Sequence, residues 1–88
     1  MENIILGQNY PNPFNPSTKI EFEILQDAEV EVVVYNLTGK EIEILHQGFL
    51  PSGIYKFDFD GSELPSGIYL YKVSTPQFTQ TKKMILAK

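Results

Sequence analysis

The sequence predicts an all-β domain, a small antiparallel β-sandwich. Three observations carry that expectation: short segments in which apolar and polar residues alternate with period two, turn signals between those segments, and no stretch of useful length with helical periodicity. With 88 residues, 42% of them hydrophobic, the chain has room for one core and so for one domain spanning residues 1–88. Five Tyr and six Phe suit a pleated, half-buried surface better than a helix.

The elements follow in order. Ile4, Ile5 and Leu6 form an apolar patch before Gly7, and residues 1–8 are expected to be a linker or an edge strand. Pro11, Pro13 and Pro16 then stand among Asn9, Asn12 and Asn15. Each proline fixes its own φ and pushes the preceding residue towards β or polyproline geometry, which predicts a stiff, extended connector. Within it, Phe14 is expected to insert as a plug, with Asn12 and Asn15 satisfying turn amides.

From Lys19 to Ile24 the alternation places Ile20, Phe22 and Ile24 on one face and charges on the other. Glu29 to Tyr35 repeats it through Val30, Val32 and Val34, with Val33 and Tyr35 on the outer face. Asn36-Leu37-Thr38-Gly39 supplies a turn, and Glu41 to His46 returns through Ile42 and Ile44, so 29–46 reads as a hairpin that Gly48 ends. Leu50-Pro51-Ser52-Gly53-Ile54-Tyr55 recurs as Leu64-Pro65-Ser66-Gly67-Ile68-Tyr69, each unit launching a strand at a sandwich corner. Tyr55, Phe57 and Phe59 alternate in the first of these strands, and Tyr69, Tyr71 and Val73 in the second. A last strand runs from Phe78 to Ala87, with Met84 and Leu86 alternating with Lys83 and Ile85. Six or seven short strands without a helix point to an immunoglobulin-like sandwich.

Charge and composition exclude several functions. A net charge of −4 with no arginine argues against nucleic acid, which needs a basic face. No Cys means neither disulfide nor thiolate metal site. No apolar run approaches the roughly 20 residues needed to span a bilayer, and the first ten residues lack the basic and apolar regions of a signal peptide. An exported parent chain would carry its signal upstream. His46, the single histidine, has no visible partner for catalysis or zinc and reads as a strand-end residue. Asp58 and Asp60 share a strand face, yet Asp60-Gly61-Ser62 reads as a turn. Asn36-Leu37-Thr38 matches a glycosylation sequon but also reads as turn chemistry. No catalytic residue, cofactor or metal is expected.

The segment Asn9-Tyr10-Pro11-Asn12-Pro13-Phe14-Asn15-Pro16-Ser17-Thr18 resembles the opening signature of the C-terminal sorting domains of the type IX secretion system, type A. The resemblance continues through Val34-Tyr35-Asn36-Leu37-Thr38-Gly39-Lys40-Glu41, through both Leu-Pro-Ser-Gly-Ile-Tyr units with Gly53 and Gly67, and into Lys82-Lys83-Met84-Ile85-Leu86-Ala87-Lys88. It implies a non-catalytic secretion and surface-anchoring signal fused behind a larger cargo protein. Its implied partners are the outer-membrane secretion machinery and a surface sortase-like protease, and its implied route leads through the periplasm to the cell surface or beyond. Family members often carry Arg near the terminal strand where this chain has only Lys, which keeps the charge but not the bidentate geometry. The chain is also similar to the immunoglobulin-like module of flagellar hook-capping proteins, so the second reading is a structural or ligand-binding accessory domain of a multidomain secreted enzyme. Under the sorting reading, the expected recognition edge is Lys82, Lys83, Met84, Ile85, Leu86 and Lys88, offered to an export receptor by strand addition.

Overall fold

The alternation that opens at Ser17 becomes the middle strand of a three-stranded antiparallel sheet. In the computed structural model, which describes residues 4–88, β1 (Ile4–Leu6), β2 (Ser17–Ile24) and β5 (Gly53–Asp60) lie in the order β1-β2-β5. Facing it is a four-stranded antiparallel sheet of β3 (Ala28–Asn36), β4 (Glu41–Leu50), β6 (Gly67–Ser74) and β7 (Thr79–Leu86), in the order β4-β3-β6-β7. The described residues contain seven strands and no helix, the small immunoglobulin-like sandwich that alternation predicts. Of the 1–8 segment, residues 1–3 lie outside the described residues. Ile4–Leu6 pair with Phe22–Ile24 at the edge of the smaller sheet.

Ile20, Phe22 and Ile24 from one sheet meet Val30, Val32, Val34, Tyr69, Tyr71 and Val73 from the other, and all are buried. Ile42 and Phe57, expected in the same core, are half-buried and packed against it. Val32 is fully enclosed, so Val32→Ala is expected to cost about 1–3 kcal/mol, read as a lower urea midpoint with unchanged slope.

Three local expectations are corrected. Gly48 does not end the hairpin: β4 runs on to Leu50 and pairs Gly48 with Val30, so His46 sits within a strand rather than at its end. The register of β4 against β3 shifts twice, Val32 and Val33 pairing with His46 and Ile44, and Val34 and Tyr35 with Glu43 and Glu41. Leu45 and Ile42 are the extra residues. These bulges turn Ile42 and Leu45 towards the core and leave Ile44 44% exposed on the outer face, whereas simple alternation sends Ile44 inward. Val33 lies on the outer face as expected, but it is buried, because Ile44 and Lys72 flank it from the neighbouring strands.

The turns use the chemistry their residues offer. The Asn36 side-chain oxygen accepts from the Thr38 and Lys40 amides at 3.0 and 2.9 Å and from the Thr38 hydroxyl at 2.7 Å. Gly39 takes φ 87°, a conformation few other residues tolerate. In both Leu-Pro-Ser-Gly-Ile-Tyr units the tyrosine hydroxyl donates to the proline carbonyl four residues back, Tyr55 to Pro51 and Tyr69 to Pro65. The two units start strands in opposite sheets, as corners of the sandwich should.

Candidate recognition surface

β7 is an edge strand of the larger sheet, and alternation divides its side chains between two environments. Met84 and Leu86 face inward and are buried; Lys83, Ile85 and Lys88 are exposed, and Lys82 is half-buried. An inward-facing lysine on an edge strand discourages edge-to-edge pairing. Of the six residues expected to form the recognition edge, Met84 and Leu86 therefore belong to the core, and only the other four present side chains to a partner. Lys88 is itself tied down: its amide donates to the Ser66 hydroxyl at 3.0 Å and its ammonium to the Ser62 carbonyl at 2.6 Å.

The outward backbone groups of β7 are not open for strand addition along their whole length. The segment from Ile4 to Phe14 runs along this edge and takes up four of them between Lys83 and Ala87. Gln80 donates through its side chain to the Ile4 carbonyl at 2.8 Å, and the Gln8 side chain donates to the Lys83 carbonyl at 2.8 Å. The Ile85 amide donates to the Asn12 side-chain oxygen at 3.0 Å. Phe14 then forms a one-residue parallel bridge, its amide donating to the Ile85 carbonyl at 2.8 Å and its carbonyl accepting from the Ala87 amide at 2.9 Å. The proline-rich connector is thus a clasp over the end of β7.

Phe14 anchors the clasp as the expected plug: it is 1% exposed and meets Phe59 edge-on with ring centroids 6.1 Å apart. Gly61 makes room for it, since a β-carbon there would stand 3.3 Å from the Phe14 ring and 3.0 Å from Leu86. Asn12 serves β7 rather than a local turn amide, and among the described residues the Asn15 side chain makes no hydrogen bond. The connector is not simply extended either. It bends at Pro11–Pro13, where the Pro11 carbonyl accepts from the Asn9 side chain at 3.2 Å and the Thr18 hydroxyl at 2.8 Å.

Asn9 and Thr18 are the buried polar residues beneath this bend, and their side chains bond each other at 3.1 Å. Tyr71 reaches them from the opposite sheet. Its hydroxyl donates to the Gly7 carbonyl at 2.8 Å and accepts from the Asn9 amide at 2.9 Å. Burial pushes this hydroxyl above the usual tyrosine value near 10.0, with the Asn9 amide pulling the other way. Gln8 and Tyr71 had no part in the sequence-based site. The available signal was a tyrosine at an inward position, since a buried hydroxyl requires a partner.

The other candidates for chemistry have structural occupations. Asp58 pairs across the strands with Lys19 at 2.7 Å, both largely exposed, and Asp60 accepts the Ser62 amide at 2.9 Å to make the turn. His46 packs on Phe57 with ring centroids 5.7 Å apart, its Nε2 lying 3.2 Å from the Gly48 carbonyl. Among the described residues no group of three or more His, Cys, Asp or Glu could hold a metal ion, and no helix is long and apolar enough to cross a membrane.

Comparison with known proteins places this arrangement. The family model described as secretion system C-terminal sorting domain matches residues 8–87. A similar solved structure is PorZ of Porphyromonas gingivalis, described as an essential bacterial surface component of the type IX secretion system. The two chains are 23% identical with a TM-score of 0.60 over 92% of this chain, a likeness of fold. The chain spans 11% of the length of PorZ. No curated protein matches the chain.

Proposed function

The chain belongs to the family of secretion system C-terminal sorting domains, signals of the type IX system that direct export towards the cell surface or the extracellular space, and from that premise we propose how this module works. Residues 1–88 act as one non-catalytic domain behind a larger cargo protein, crossing the periplasm with it. At the surface a sortase-like protease removes the module and anchors the cargo. The half-buried Lys82 and the exposed Lys83 and Lys88, with Ile85 between them, meet the outer-membrane machinery and orient an otherwise acidic domain.

The observation that carries this reading is the family match over residues 8–87, which takes in both the clasp and β7. The test is a reporter fused ahead of residues 1–88 in a bacterium with a type IX system, where the fusion is expected at the surface. Reversing the exposed Lys83 and Lys88 to Glu is expected to change stability by less than about 1 kcal/mol, because exposed charges contribute little. The folded variant fusion is then expected to accumulate in the periplasm, and wild-type delivery of it would exclude a role for these charges.

A further inference from the structure

The clasp poses a question that the sorting reading leaves open: which surface of β7 can a partner reach? Strand addition needs a row of outward amides and carbonyls, and between Lys83 and Ala87 four of these are already bonded to Gln8, Asn12 and Phe14. The face of the strand is not covered in this way. Ile85 lies directly opposite Ile68 on β6, and these two side chains are 42% and 38% exposed on the outer side of the sheet. Beside them a shallow groove is lined by Gln8, Asn12, Ile68, Lys82, Lys83 and Ile85.

This lining has two lysines and no carboxylate, on a chain whose net charge is −4. The sign of the ledge is opposite to that of the molecule, so it selects a partner carrying negative charge. Its two isoleucines offer apolar area to be desolvated, and the amide side chains of Gln8 and Asn12 are already committed to β7 and so hold the rim in place. Such a basic and apolar ledge fits an extended segment with alternating carboxylate and apolar side chains.

Resting on the sorting function above, we propose that the secretion machinery binds this module face-on, laying an acidic, apolar peptide segment over the Ile68–Ile85 ledge while the clasp keeps the edge shut from Lys83 to Ala87. Ile68 and Ile85 are then the apolar anchors, and Lys83 supplies the charge on their face, with Lys82 at the margin of the groove.

The test uses the reporter fusion to residues 1–88. Ile68→Ser with Ile85→Ser is expected to lower surface delivery about tenfold or more, as the loss of two central anchors should. Ile44→Ser, an equally exposed isoleucine on the same outer face but on β4, is expected to leave delivery unchanged. Thermal unfolding of each variant establishes that it is folded, and Lys83→Glu, at an exposed position, provides a second variant with the same expected loss should the double serine variant fail to fold. Normal delivery of folded ledge variants overturns the proposal while leaving the sorting function intact, whereas a wild-type fusion that never reaches the surface overturns both. Opening the clasp with Gln8→Ala and Asn12→Ala separates face from edge: increased delivery would establish strand addition at β7 and overturn face-on docking. Sedimentation of the module with phosphatidylglycerol vesicles that is lost in the ledge variants would assign the ledge to a lipid surface and overturn a peptide partner.

Discussion

Phe14→Ala is expected to lower the stability of the domain by about 3–5 kcal/mol, measured as a fall in the urea midpoint. Phe14 is 1% exposed, and its ring packs against Phe59 beneath the end of β7, where Gly61 contributes no side chain that could fall into the space left behind. The cavity would therefore persist rather than collapse. Small domains have only about 5–15 kcal/mol in total, so a loss of this size brings the variant close to unfolding at growth temperature. The ring also anchors the backbone bonds from Phe14 to Ile85 and Ala87, and local fraying of the clasp should accompany the global loss, visible as faster amide exchange at Ile85 and Ala87. Phe14→Leu should retain most of the stability, because it refills most of the volume. An unchanged midpoint with export abolished would instead mean that the ring contacts the secretion machinery directly.

The sandwich itself was legible because its signal is local. Ile20, Phe22 and Ile24 against Glu21 and Glu23, or Val30, Val32 and Val34 against Glu29 and Glu31, need only the two-residue period of a strand to sort them between core and water. Phe14 was legible as a wholly apolar ring in a polar, proline-rich segment, whereas Tyr10 in the same segment keeps its ring 80% exposed. What could not be read depends on a partner strand. The bulges at Leu45 and Ile42 exist only relative to β3, and they invert the environment expected for Ile44. Val33 looks like an outer-face residue until Ile44 and Lys72 are placed on either side of it. The clasp was hidden by distance along the chain, since the bond from Asn12 to Ile85 joins residues 73 positions apart and that from Gln8 to Lys83 joins residues 75 apart. No periodicity within either segment records which edge it will cover.

The same non-local character makes Tyr71 the second critical residue, and Tyr71→Phe is expected to cost about 2–4 kcal/mol although it removes a single oxygen atom. The hydroxyl joins the larger sheet to the start of the clasp by donating to Gly7 and accepting from Asn9. Phenylalanine would fill the space but leave a buried amide and a carbonyl without their partner, and each such group costs about 1–3 kcal/mol. The effect should depend on pH in a defined direction. Burial raises the folded-state value for this hydroxyl above the ordinary 10.0, so the neutral form is favoured in the native state. Its contribution is fully present below about pH 10. Above that pH an unfolded chain releases the Tyr71 proton first, the native state holds more protons, and stability falls as pH rises through the folded-state value. Wild-type protein is therefore expected to lose stability with rising pH above 10 more steeply than Tyr71→Phe, whose other tyrosines provide the common background. The difference between the two urea midpoints should be constant from neutral pH to about pH 9 and shrink beyond pH 10. A difference that grew with alkalinity would mean that the hydroxyl is held as its anion, in conflict with the bond it donates to Gly7.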